Sequence, residues 1–143
     1  MAHILAKIRF DYPGRAKSGK LFGNKNIEQL ADDNRQQKVA KMRNVPMQGI
    51  RIDDIDMSQD IYTLVDDITG TRVAYAPVVI TLVADRIDEL VQFAVMEDFR
   101  TIEIIEPGEL LLAKDEIEKL IFRVSKESSG YRDHLQRQMD NGR

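Results

Sequence analysis

Residues 78–84 read Val-Val-Ile-Thr-Leu-Val-Ala, a β-branched run broken by one hydroxyl, and no other stretch restricts the fold as tightly. A strand with one wet face alternates apolar and polar residues, so a run apolar on both faces predicts a central strand covered on both sides. Asp85 follows in the place of an N-cap, with Asp88 and Glu89 where unpaired N–H groups and the helix dipole favour carboxylates. Ile87, Leu90, Val91, Ala94 and Val95 then recur at helical spacing, which predicts an amphipathic helix packed on the sheet, with Asp88, Glu89, Gln92 and Glu97 turned elsewhere. Residues 101–105 alternate as a second strand, and Pro107-Gly108 ends it because proline has no N–H for a ladder. Asp115 and Glu118 repeat the capping arrangement ahead of a second stripe, Ile117, Leu120, Ile121 and Val124. The short link between the two strands predicts a right-handed crossover that places both in one sheet.

The chain before this unit is less regular. Residues 3–10 alternate, with Ile4, Ala6, Ile8 and Phe10 on one face against Lys7 and Arg9, and predict a half-buried strand. Residues 11–25, rich in Gly, Lys and Pro, read as a long loop. Asn26 can cap a helix carrying Ile27, Leu30 and Ala31, but residues 32–38 (DDNRQQK) hold no apolar side chain, so the helix is expected to be mostly exposed until Val39 and Met42. Segments 61–66 and 71–76 flank Asp67-Ile68-Thr69-Gly70 and predict a β-hairpin, with Pro77 marking a bend after it. Gly130 is expected to interrupt the last helix, leaving a polar tail at 127–143 that frays.

With 143 residues the chain suits a single α+β domain over 1–126, with its basic loop at 11–25, followed by that tail. It contains no cysteine, so disulfides, thiolate metal sites and cysteine nucleophiles are excluded. No window approaches 18 uninterrupted apolar residues and the start shows no long apolar stretch of the signal-peptide kind, so the expectation is a cytoplasmic protein with no membrane partner. Charge is divided unevenly: eleven Lys and Arg against four Asp and Glu through Arg51, ten against twenty beyond it. Such a split either neutralises itself within the fold or across a dimer, or supplies a basic face for phosphates.

Gly14-Arg-Ala-Lys-Ser-Gly19-Lys20 fits the G-x-x-x-x-G-K frame that cradles phosphates. Leu21 stands where a hydroxyl should hold Mg²⁺, and Gly23 and Asn24 delay the helix whose N-terminus should meet the phosphate. The loop can still bind phosphates without catalysis. Arg15, Lys17, Lys20 and Lys25, interleaved with Tyr12 and Phe22 and joined by Arg35 and Lys38 on the following helix, are the candidate phosphate or nucleic-acid residues. Asp54, Asp56, Ser58 and Asp60 alternate like the first ligands of a calcium loop, yet Gln59 replaces its turn glycine and Val65 its bidentate glutamate. His3 and His134 have no ligand partner at metal spacing, and no serine sits in a G-x-S-x-G turn. No catalytic residue, metal site or cofactor is therefore assigned.

Residues 78–124 combine an apolar strand, a helix containing DELVQF, a strand reading IEIIEP, and a helix after GELLLAKDEIEKL, with Glu106 and Pro107 followed by Leu110. In this order and motif the segment resembles the C-terminal extension of WYL-domain transcriptional regulators. The resemblance implies a ferredoxin-like-type sheet with two or three helices packed on one face, plus the hairpin, in a small sensory or assembly module. There is no Trp-Tyr-Leu motif and no tryptophan, and neither DNA recognition nor ligand residues are carried over. Three functional readings remain open: a non-enzymatic regulatory module working through protein contacts or self-association, with a homodimer favoured and a small ligand allowed; a nucleic-acid or polyphosphate binder using the basic loop and helix; and an enzyme whose site only the fold assembles.

Overall fold

The computed structural model describes residues 3–16 and 26–141. Two long antiparallel strands form its spine, β1 (Ile4–Arg15) and β4 (Arg72–Ala84), paired from Ile4 opposite Ala84 to Arg15 opposite Val73. β5 (Phe99–Glu106) lines the far side of β1. The far side of β4 is shared: β2 (Ile50–Asp56) pairs along its C-terminal half and β3 (Tyr62–Val65) along its start. The order β2-β4-β1-β5 is joined by α1 (Ile27–Asn44) between β1 and β2 and by a short helical crossover between β4 and β5. That is a ferredoxin-like α+β sheet, with β3 added as a hairpin partner of β4. The expected central strand is at its centre.

Period-two alternation sorts the sheet into two faces. Ile4, Ala6, Ile8, Phe10 and Tyr12 of β1 share one face with Val78, Ile80, Leu82 and Ala84 of β4, all buried with Val39 of α1 and Leu90 and Phe93 of the crossover. Asn26 caps α1 as expected: its side chain accepts from the Gln29 N–H at 2.9 Å, and the Gln29 side chain accepts from the Asn26 N–H in return. No helix among the described residues is long and apolar enough to cross a membrane.

In several places the chain departs from its local pattern. β1 does not stop at Phe10 but runs through Asp11-Tyr12-Pro13-Gly14 to Arg15, shortening the predicted loop. Gly14 makes this possible, since a Cβ there would lie 2.2 Å from the Ile27 carbonyl oxygen and 2.3 Å from the Ala31 nitrogen of α1. Pro77 makes no bend. It pairs opposite Asp11 within an unbroken β4, in the interval between the segments bonded by β3 and by β2, where a missing N–H disturbs the ladder least. The predicted helix after 85 is reduced to a 3-10 turn (Ile87–Leu90) and one α-turn, α2 (Val91–Ala94). Asp85 caps nothing in it; Arg86 occupies the N-cap without a side-chain bond, and Asp85 instead lies 3.3 Å from His3. α3 (Lys114–Asn141) continues through Gly130 as one helix, and a Cβ added there would meet nothing within 4 Å.

Candidate functional site

Among the described residues β5 is a free edge, bonded only on its β1 side. Ile102 stands opposite Ile8 and Ile104 opposite Ala6, on the helix-bearing face, yet they are 40% and 41% exposed. α1 lies over β1 and β4 and α2 touches β5, but among the described residues no helix covers Ile102 and Ile104 beyond about half. α3 does not fill the gap, since it packs chiefly against the 3-10 turn and α2. Its stripe therefore stays largely open: Ile117, Ile121 and Val124, with Phe122 beside them, are 43–69% exposed. A stripe whose spacing suits packing on a sheet is here presented to solvent.

What holds α3 is a charged latch. Asp88 and Glu89, which the sequence pattern turns toward water, are 6% and 5% exposed. Arg86 donates to Asp88 at 3.1 Å and to Glu89 at 3.0 Å. From α3, Arg123 donates to Glu89 at 3.5 Å through one guanidinium nitrogen and to Glu127 at 2.8 Å through another. Neighbouring Asp88 raises the Arg86 pKa and keeps it charged. Gly49, at φ +75°, leaves room for the Glu89 side chain, which a Cβ would meet at 2.8 Å.

The six predicted basic residues do not form one site among the described residues. Lys17, Lys20 and Lys25 lie outside the described residues, as does Phe22. Arg15 is exposed at the end of β1, on the face away from the helices. Arg35 turns inward at 8% exposure, donating to Asp32 at 2.7 Å and to the carbonyls of Gln59 and Pro77 at 3.3 and 3.2 Å. Its guanidinium ties α1 to β4 and occupies the stripe position between Ala31 and Val39. Lys38 is half-buried on α1. Tyr12, expected as a loop stacking surface, belongs to the core, stacked 5.7 Å from Phe10, and burial holds its phenol well above the usual range. Gly14 of the phosphate-loop frame is spent on the α1 contact. In the calcium-like segment, Asp56 accepts hydrogen bonds from the Ser58 N–H and hydroxyl, which close a turn and hold its carboxyl below the usual range. Among the described residues no three His, Asp or Glu side chains gather as a metal site.

Asp98, just ahead of β5, is half-buried, and desolvation followed by the charge of Glu97 raises its pKa, opposed by Lys38, Arg15 and Arg100. A carboxyl whose folded pKa exceeds its unfolded value contributes most below the unfolded value, and that contribution is lost as pH rises through the folded pKa. Asp98→Asn is therefore expected to melt at a higher temperature than the wild type at neutral pH. The difference should vanish near pH 3, roughly where both forms are neutral; melting curves at the two pH values check it, and equal midpoints at neutral pH would refute it. Compared with protein-family models, curated proteins and solved structures, the chain matches none.

Proposed function

We propose that this protein is an interaction module that self-associates, two copies meeting through the free edge of β5 and the open stripe of α3. The observation that supports it most directly is the exposure of Ile102 and Ile104 together with Ile117, Ile121, Phe122 and Val124 on consecutive elements. Single apolar residues on a surface need no explanation, but a set of large ones marks an interaction surface, and an unpaired edge strand offers backbone donors and acceptors beside it. A second copy suits the edge. Antiparallel pairing of β5 with itself about Glu103 keeps the helix-bearing faces on one side and sets Ile102 opposite Ile104 of the partner subunit. The two Glu103 side chains then meet, each with Lys7 as its cross-strand neighbour to offset the repulsion. The implied assembly role of 78–124 points the same way.

Ile121 is 65% exposed, so Ile121→Asp should leave the monomer fold intact. Light scattering coupled to gel filtration is expected to give twice the 16.4 kDa chain mass for the wild type and the single-chain mass for the variant. A wild type that stays monomeric at the highest workable concentration rejects the proposal, and a variant that stays dimeric removes α3 from it.

A further inference from the structure

The other face of the sheet carries no helix among the described residues: α1 and the crossover both pack on the face of Ile8 and Ile80. β1 presents Lys7, Arg9, Asp11, Pro13 and Arg15 to this open side at alternate positions, opposite Thr81, Val79, Pro77, Tyr75 and Val73 of β4. Tyr62 of β3 stands opposite Tyr75. At this side the unusual residue is Asp11. A carboxylate on an uncovered sheet face is expected to be wet, but Asp11 is only 4% exposed because three side chains close over it. Arg9 donates to it at 2.8 Å, the Tyr62 hydroxyl donates to it, and the Arg100 guanidinium reaches within 3.6 Å from the bulge at the start of β5.

Asp11 thus fixes two arginines and a tyrosine in one arrangement. Arg100 lies 5.2 Å above the Tyr75 ring, and the rings of Tyr75 and Tyr62 stack 5.3 Å apart at 24°. The arginines are not used up by the contact, for Arg9 and Arg100 keep 37% and 45% of their side chains exposed. The hydrogen bond from Arg9 to Asp11 raises the Arg9 pKa, and desolvation with the same carboxylate raises that of Tyr62, so the guanidinium stays charged and the phenol stays a donor. Beyond Tyr75 a shallow hollow of about 470 Å³ opens between Arg15, Leu64 and the β3–β4 turn. Four cations, Lys7, Arg9, Arg100 and Arg15, follow β1 around the buried Asp11; at the Lys7 end carboxylates flank them, Glu103 and Glu106 from β5 and Asp54 and Asp56 from β2, which stand opposite Thr81 and Val79, so the cationic excess lies toward Arg9, Arg100 and Arg15.

We propose that this face binds single-stranded nucleic acid, with bases stacking on the Tyr75–Tyr62 platform and phosphates running along Lys7, Arg9, Arg100 and Arg15. The chemistry is that of a non-specific single-strand groove, flat aromatic surfaces for bases beside a track of cations for the backbone. From Lys7 to Arg15 is eight residues of strand, about 26 Å, a track for several nucleotides rather than one. A duplex suits it poorly, because its bases are already stacked on one another and among the described residues no element stands out from this face to enter a groove. Of the eleven Lys and Arg through Arg51, Lys7, Arg9 and Arg15 lie on this face of β1, whereas Arg35 does not.

The test is fluorescence anisotropy of a labelled mixed-sequence oligonucleotide, single-stranded and as its duplex, titrated with the full-length protein over a range of salt. Single-strand binding is expected to exceed duplex binding and to weaken steeply with salt. Lys7→Gln with Arg15→Gln, both exposed positions, should lower the salt slope by about two contacts' worth. Tyr75→Leu should weaken binding at fixed salt by about tenfold, the loss of one stacked base. Lys119→Gln on α3, at an exposed position, should change neither. No single-strand binding at low salt, a preference for duplex, or binding untouched by both the lysine–arginine pair and the tyrosine variant overturns the proposal; the last result would move the site to Lys17, Lys20 and Lys25. If Tyr75→Leu fails to fold, the surface pair alone decides.

Discussion

A Gly14→Ala protein is expected to be destabilised by about 3–5 kcal/mol, above the usual 1–3 for overpacking. The added methyl would meet backbone atoms, the Ile27 carbonyl oxygen and the Ala31 nitrogen, so no side-chain rotamer can move aside. α1 must lift from the sheet instead. Lifting it separates Ala31 from Ala74 and Ala76, the small residues that let helix and strands approach, and strains the Arg35 bond to the Pro77 carbonyl. Gly130→Ala is the informative comparison, since it adds the same methyl inside α3 with nothing within 4 Å. There the better helix propensity of alanine should stabilise α3 by up to about 1 kcal/mol. Urea unfolding of both variants gives the two values, and a Gly14→Ala midpoint close to the wild type would refute the close-approach account.

The sheet was legible where information is local. The 78–84 run, the alternation of 4–10, the Asn26 capping box and the hairpin turning at Gly70, at φ +71°, each announce themselves within a few residues. What failed were signals whose meaning depends on a distant partner. Pro13-Gly14 looks like a loop until α1 is seen to need a position without a Cβ. Pro77 looks like a bend until two different strands are found to share the β4 edge. Arg35 looks solvated until carbonyls from Gln59 and Pro77 come within reach, and Asp88 and Glu89 look wet until Arg123 arrives from 34 residues away. The candidate surfaces follow the same rule. The α3 stripe is plain in the spacing, but only the fold shows which side is left open; Arg9, Asp11, Tyr62, Tyr75 and Arg100 come from four strands, and no sequence window contains them.

Pairing two β5 strands about an axis normal to the sheet leaves both helix-free faces on the same side. Two cation and tyrosine tracks would then lie on one continuous sheet, and a single strand long enough to reach both would gain avidity without any new contact. The Ile121→Asp variant would keep its binding to a short oligonucleotide and lose the extra affinity for a long one.

Everything α3 contributes to association depends on how it is held, and removal of Arg123 should show this most clearly. Arg123→Met keeps the apolar stem and deletes the charge, leaving Asp88 and Glu89, both under 10% exposed, with Arg86 alone. Losing one partner of a buried ion pair costs about 3–5 kcal/mol, and because Arg123 is 22% exposed and Arg86 remains, about 2–3 kcal/mol is expected. The loss should be local. α3 meets the rest of the fold mainly at the 3-10 turn and α2, so hydrogen exchange should accelerate in α3 while amides of β1 and β4 keep their protection. Self-association should weaken with it, although no residue of the proposed contact has changed. Combining Arg123→Met with Glu89→Gln separates the two possible causes: if the carboxylate left behind is the problem, the double variant recovers part of the protection, whereas equal loss in both would assign the docking of α3 to the bonds that Arg123 itself makes.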